Sequence, residues 1–497
     1  MILNLILGLF QLKILIPWIL GMAFGLFVGS IPGLTATMAV ALIIPLTYYM
    51  DPSAAFALIL GISFTAIFAG DIPATFLRVP GTPASGAAVL DGHEMCKKGK
   101  GALALAIDLV NSTMGGFVGI LLLIFISPIL AKFALNFTFF EYFWLGVFGL
   151  CMTSVISRTK PLKGFIAVLL GLAVSTIGID VTTGYPRFSF GNINLTSGIS
   201  FIPAMIGLFG FSEVLLQITR RQDFSLPTVE KFTKVPILEA FKVTFKNIWT
   251  FIKSSLIGVF IGALPGAGAD IAAWVSYGVA KRTSKNSDKF GTGFEEGVIA
   301  PTAANNAALG GTWIPAFIFG VPGDTITAIV LGAMLMYGLK PGPQIFVESS
   351  DLMRSIFAIA LISHVFLFIL GALAIKASGF LLRLPRNIVW VAIIIFSIVG
   401  SYSINNNFFD VYVMIFFGLT GFLLEKIDVP LAPIILGIIL GPMVENNLRV
   451  GLILSEGKIT PFLTRPICLV IIVMIIFTLF GGGITHLIKK VFIRSKK

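Results

Sequence analysis

Residues 25–33 read GLFVGSIPG, and residues 258–266 read GVFIGALPG. Gly25, Phe27, Gly29, Pro32 and Gly33 recur as Gly258, Phe260, Gly262, Pro265 and Gly266, an offset of 233 residues from Pro32 to Pro265. Each block has a follower: PATFLRVPG at 73–81 and PAFIFGVPG at 315–323, offset by 242 from Pro80 to Pro322. The polar run KRTSKNSDK at 281–289 exists only in the second half and accounts for the nine extra residues. A lone PG means little in an apolar chain. Two PG blocks in the same order, in matching apolar frames, mark an internal duplication. The halves are 1–218 and 248–425, joined by a polar connection at 219–247 and followed by C-terminal helices and a basic tail over 426–497.

The surrounding composition places this duplication in a membrane. The 497 residues are 57% hydrophobic and 12% charged, against about 25% charged in ordinary soluble domains. Apolar runs such as Ile14 to Val28, Phe117 to Leu130, Ile356 to Ile375 and Ile467 to Phe480 suit crossings of ~20 residues. Hydrocarbon offers no partner to a backbone amide, so spans are helices or closed barrels. The runs are continuous rather than alternating, which excludes the barrel. The expected fold is an all-α polytopic membrane protein with about a dozen transmembrane helices, broken or re-entrant at the PG motifs.

Charge predicts the topology. Net charge is +12, carried by basic loops, which the positive-inside rule explains without nucleic acid. The connection holds Arg220, Arg221, Lys231, Lys234, Lys242 and Lys246, and the end of the chain holds Lys489, Lys490, Arg494, Lys496 and Lys497. Both are expected in the cytoplasm. Tyr48 to Ser53 has no basic residue, while its counterpart has Lys281, Arg282, Lys285 and Lys289. Lys97, Lys98 and Lys100 face a counterpart with Lys340 alone. Matching loops therefore lie on opposite sides, the signature of inverted-topology repeats. The first cation is Lys13 and apolar sequence continues beyond it, so the N-terminus is not read as a signal peptide. Cys96, Cys151 and Cys468, like His93, His364 and His486, are too scattered for disulfide or metal spacing.

Broken helices at matching places in two repeats point to a transport site near the bilayer midplane. Helix N-termini after a break suit carboxylate groups, and freed carbonyls suit a sodium ion. The candidates for substrate contact are Pro32, Gly33, Thr35, Arg78, Pro80, Gly81, Thr82, Ser85, Pro265, Gly266, Asn305, Asn306, Pro322 and Gly323. Arg78 would be the counter-charge of an anion. Asp71, Asp270, Asp324 and Asn305 are candidates for a coupling cation, sodium or proton, because charges inside a membrane face a cavity or a partner. Asp71 and Arg78, seven apart, would share a face of a continuous helix and could pair. The plainer alternatives are packing kinks for the PG blocks, interhelical hydrogen bonds for the asparagines, and caps or salt bridges for the aspartates. GxxxxGK[ST], HExxH and GxSxG are absent, so no ATPase, metalloprotease or serine hydrolase is indicated and no enzyme is expected. An organic-anion channel or exporter remains an alternative. So does an intramembrane aspartyl protease using two of Asp71, Asp270 and Asp324.

The blocks GSIPGLTATMAVALIIPLT, GDIPATFLRVPGTPASGAAVLDG, GALPGAGADIAAWVSYG and NNAALGGTWIPAFIFGVPGD resemble the large membrane subunit of tripartite tricarboxylate transporters, over nearly the full chain. The resemblance implies import of small organic carboxylates, such as citrate and other di- and tricarboxylates, by cation symport. It implies a small membrane subunit and a periplasmic solute-binding protein as partners, no cofactor, and residence in a prokaryotic cytoplasmic membrane. It carries over to Pro32, Gly33, Pro80, Gly81, Pro265, Gly266, Asn305, Asn306, Pro322 and Gly323. The chain departs from the family pattern at Thr302, where many members are acidic, and at Asp71 and Asp270, where many have a small residue.

Overall fold

The computed structural model describes residues 7–156, 161–180, 183–220, 234–381 and 386–479. Among them the only sheet is an antiparallel pair of two-residue strands, Gly178–Ile179 and Pro186–Arg187. Seven helices are long and apolar enough to cross a bilayer, and seven more are apolar but only 10–17 residues long. This is the all-α polytopic architecture expected. The basic tail from Lys489, together with Arg221 and Lys231 of the connection, lies outside the described residues.

The first half begins with α1 (Leu12–Gly29), α2 (Ala36–Thr47), α3 (Pro52–Ala69) and α4 (Asp71–Leu77). It continues through a 3-10 turn at Pro83–Gly86, α5 (Val89–Lys97), the long α6 (Gly101–Ala134), α7 (Phe139–Ile156) and α8 (Pro161–Ser175). The second half holds α9 (Ile248–Gly262), α10 (Gly268–Thr283), α11 (Glu295–Phe319), α12 (Thr325–Met336), α13 (Ser350–Leu381), α14 (Arg386–Asn405) and α15 (Phe408–Lys426). Then comes α16 (Ala432–Leu454).

A helix that is apolar on every side belongs either in the protein interior or against lipid, and burial tells which. In an apolar 18-residue stretch of Pro52–Leu77, 94% of the residues are buried, whereas the corresponding stretches of Gly101–Ala134 and Ser350–Gly379 have 39% buried. So α3 and α4 form the interior, while α6 and α13 keep a lipid-facing side. Every residue of α11 from Glu296 to Ile318 is also buried. The two interior segments, 52–77 and 295–319, are equivalent under the 242-residue offset.

Glycines let each interior helix be approached. A Cβ on Gly21, Gly25 or Gly29 of α1 would collide with the carbonyls of Leu58, Ile62 or Ala66 on α3. A Cβ on Gly258 or Gly262 of α9 would collide with those of Ala304 or Ala308 on α11. The spacing of four puts these glycines on one helix face, the small-residue packing that membrane helices use in place of a hydrophobic driving force. The contacts repeat in register: Gly25 on Ile62 matches Gly258 on Ala304.

The chain forms two compact units. The first, Met1–Ala131 with Ile202–Leu423, holds all the PG blocks. In the second, Lys132–Phe201 with Leu424–Lys497, α8 packs on α16 through Gly171 and Gly437, each against the other helix's backbone. Ion pairs link Asp180, Arg187, Glu445 and Arg449, with Arg449 2.8 Å from Asp180 and Arg187 2.6 Å from Glu445.

Candidate functional site

The two breaks of each half meet. Gly81 donates its N–H to Gly70 O at 3.0 Å, and a Cβ there would strike Gly29 O and lie 2.7 Å from Gly70 Cα. A Cβ on Gly323 would lie 2.6 Å from Thr312 Cα and 2.7 Å from Gly262 O. Gly29 and Gly262, and likewise Gly70 and Thr312, are equivalent positions. In both halves the VPG turn rests on the end of the helix that leads into the preceding PG block. No side chain fits between the backbones, which explains glycine at 81 and 323.

The turns repeat in detail. Gly33 and Gly266 have φ of 91° and 79°, and Arg78 and Gly320 have φ of 59° and 67°, left-handed values that glycine adopts at least cost. Thr82 and Ser85 share a hydroxyl hydrogen bond of 3.0 Å. At the equivalent positions, Asp324 Oδ1 accepts from Thr327 Oγ1 and from Thr327 N, both at 2.7 Å. The halves then exchange these segments. The Thr37 and Thr325 hydroxyls bond at 2.8 Å, seating α12 on α2. The 3-10 turn at 83–86 packs reciprocally on α10, where a Cβ on Gly86 would be 3.2 Å from the Trp274 ring. A swap in which each half gives what it receives is what a two-fold relation produces.

Buried polar groups lie within this frame. Asn305 and Asn306 are fully buried, and Asn306 Nδ2 donates to Asn305 Oδ1 at 3.2 Å. Their side chains thus interact despite leaving the helix at different angles. Asn305 Nδ2 and Asn306 Oδ1 have no protein partner. Asp71, 1% exposed, has Ser85, Asn305 and Asp108 as its polar neighbours. None of them makes a well-aligned bond to either of its carboxylate oxygens.

The other expected residues are distributed around this core. Thr35 caps α2, accepting from Met38 N at 3.1 Å. Thr82, Ser85, Gly81, Pro265, Pro322 and Gly323 are buried, Pro32 and Gly33 are half-buried, and Pro80 is exposed. One expectation needs correction. Asp71 and Arg78 do not pair: α4 ends at Leu77, Arg78 turns left-handed, and its side chain is exposed near Glu94 while Asp71 stays inside. Asp270 lies exposed in the first turn of α10. Asp324 takes the capping alternative weighed for it, closing a capping box at the start of α12.

Broken helices crossing in equivalent pairs around buried amides are an arrangement that transporters use. The tripartite tricarboxylate transporter TctA family matches residues 15–436. The chain belongs to that family. It is 35% identical over 448 residues, 90% of its own length and 88% of the relative's, to an uncharacterised 52.8 kDa protein from the TAR-I ttuC′ 3′ region of Agrobacterium vitis. A protein from the TAR-II ttuC′ 3′ region of the same organism is 40% identical over 210 residues, 42% of this chain and 87% of that one. No solved structure matches. This TctA chain is therefore a multi-pass membrane subunit of a transporter.

Sequence reasoning missed two carboxylates in the TctA core. Asp91 is fully buried and gathers Gly291 N and Gly293 N at 2.9 Å, Phe294 N at 2.8 Å and Tyr277 OH at 2.9 Å, tying α5 to the loop before α11. Asp108, 2% exposed, sits in α6 and accepts from Ser112 Oγ at 2.8 Å. The signal for Asp108 was present: an ionisable residue in the apolar run ALALAIDLV.

Proposed function

We propose that this chain is the large membrane subunit of a tripartite importer that moves small organic carboxylates, di- and tricarboxylates such as citrate among them, in symport with a cation. A small membrane subunit and a periplasmic binding protein would complete it. One observation carries the reading: two equivalent pairs of broken segments exchange places around buried, incompletely bonded asparagines. Buried amides without partners cost stability unless something else bonds them, and a carboxylate or a cation would supply what Asn305 and Asn306 lack. The turns at 30–35, 78–82, 263–268 and 320–324 would line the substrate path, and alternating access would rock one repeat against the other.

The opposite loop charges and the reciprocal packing support inverted repeats 1–218 and 248–425 joined through 219–247. With the connection and tail in the cytoplasm of a prokaryotic inner membrane, both basic segments obey the positive-inside rule. The protease alternative finds less support. It needs two carboxylates flanking an accessible peptide, yet Asp324 is engaged in its cap, and Asp71 is sealed with Asp108 rather than with Asp270.

The test is uptake into proteoliposomes holding this chain and its small partner, supplied with the cognate binding protein carrying labelled citrate, succinate or an aromatic acid. Gradient-driven accumulation of one of these, without ATP, is the expected result. Accumulation that persists after both sodium and proton gradients are collapsed would overturn the symport reading.

A further inference from the structure

Asp71 and Asp108 come from separate helices, α4 and α6, and are direct neighbours in the protein interior. Each is almost completely buried, at 1% and 2% exposed. Both Asp71 oxygens and Asp108 Oδ2 lack a hydrogen-bond partner. Among the described residues no lysine or arginine pairs with either one. Two negative charges cannot lie side by side in such a place without a cation or a proton between them.

The surroundings favour the proton. Asn305 is fully buried, and its Oδ1 is occupied by Asn306 Nδ2. The group it leaves free beside Asp71 is therefore Nδ2, a donor that suits a carboxylate and opposes a metal ion. Ser112 Oγ already donates to Asp108 Oδ1 at 2.8 Å. A sodium ion would need the carboxylate oxygens and Ser85 Oγ to converge on it with Asn305 Nδ2 turned away, whereas a shared proton needs two oxygens. Of the other titratable groups on the helices packed here, all but one ring nitrogen of His364 are engaged elsewhere. His93 on α5 bonds Thr75 O at 3.0 Å, Asp91 holds the 291–294 backbone, and Glu296 on α11 accepts from Thr250 and Ser284. His364 on α13 bonds Ala360 O through Nδ1 at 2.8 Å and packs against Phe64 and Gly116, its Nε2 buried without a partner.

We propose that Asp71 and Asp108 form a proton-binding site, one proton held between two carboxylates with Asn305 and Ser112 orienting them, and that this proton is the coupling cation. The step is a proton transfer: an O–H bond of hydronium on one side of the membrane breaks as an O–H bond forms on the pair, and that bond breaks in turn as the proton passes to water on the other side, with no change of oxidation state. The assignment rests on the transport reading above, and its first test does not need a substrate.

Infrared spectra of the full chain in lipid nanodiscs at neutral pH, in choline chloride and in sodium chloride, report protonated carboxyl groups directly. A C=O stretch that shifts on deuteration, persists in sodium, and disappears in Asp71→Asn/Asp108→Asn is expected. Absence of a band assignable to the pair, or a band that vanishes when sodium replaces choline, would overturn the proposal and give the site to sodium. In proteoliposomes, Asp71→Asn or Asp108→Asn should lose pH-gradient-driven accumulation at least tenfold while still exchanging internal for external carboxylate. Accumulation retained at the wild-type level in both variants would equally overturn it. If the wild type moves no carboxylate yet shows the band, the proton site stands and the transport reading fails. If a variant does not fold, the wild-type band and its sodium response decide.

Discussion

The first and second halves of this transporter share backbone geometry at their breaks and differ in the chemistry placed there. Gly81 and Gly323 lie in equivalent backbone cradles, and Gly33 and Gly266 make equivalent left-handed turns. Yet Asp71 stands where the second half has Trp313, which is 2% exposed and packed on Phe317 at 4.8 Å. Arg78 stands where the second half has Gly320, and Thr82 where it has Asp324. Close backbone approach is a demand both halves must meet, because each buries an interior helix. A charge is needed only once: a second buried carboxylate at 313 would add a desolvation cost of several kcal/mol and need its own partner. The two halves share the backbone frame, and the residues set into it make the polar core asymmetric.

The strongest way to break the comparison is to test whether the two cradles are equally necessary. Gly81→Val and Gly323→Val each push a branched side chain into backbone atoms that cannot swing aside. Each is expected to cost about 3 kcal/mol, read as a large fall in unfolding temperature in mild detergent, and to abolish uptake. Collapse of one variant with tolerance of the other would mean that the cradles are alike in outline only.

A smaller effect should separate the polar cores. Asn305→Ala removes the acceptor of Asn306 Nδ2 and strands a buried donor, at a cost of about 1–3 kcal/mol, with uptake lost. Its equivalent, Ser63, bonds only Ile59 O of its own helix at 2.8 Å. Ser63→Ala is expected to change stability by less than about 1 kcal/mol and to leave uptake intact. Equal losses in both variants would show that the asymmetry has no functional content.

The caps come next. Asp324→Ala opens the capping box of α12 and should cost about 1 kcal/mol. Asp324→Asn keeps an acceptor for Thr327 N and should cost a few tenths. If Asp324→Asn abolishes uptake while its stability is preserved, the Asp324 charge serves transport as well as the cap.

These contrasts also show how far the sequence could be read. The membrane class was legible because long apolar runs have no other stable outcome, and the breaks were legible because proline and glycine constrain backbone directly. The contact between Gly81 and Gly29 was not, since nothing local says that a VPG turn returns to the end of α1. Charges were the least legible. Asp71 and Arg78 looked like a pair at a spacing of seven, but one left-handed residue ended the helix first. Asp108 drew no notice because it lies outside the PG blocks, in a run where helix packing alone brings it to Asp71. A pair of carboxylates from different helices is visible only once the helices are placed.

Arg78 gives the smallest and most discriminating effect. Its φ of 59° places a side chain where a Cβ crowds the carbonyl, at a cost of about 1–2 kcal/mol that glycine avoids. Glycine also loses more chain entropy on folding, about 0.5–1 kcal/mol. Arg78→Gly should therefore leave stability unchanged or raise it by up to about 1.5 kcal/mol, while Gly320→Arg should lower it by a similar amount. An exposed side chain kept in an unfavourable conformation, where the equivalent position uses glycine, is retained for its charge or for nothing. If the stabilised Arg78→Gly variant loses carboxylate uptake through a raised KM, the guanidinium meets the anion on its way to the breaks. If it transports at the wild-type KM, Arg78 is a tolerated relic of the duplication and the substrate's counter-charge lies elsewhere.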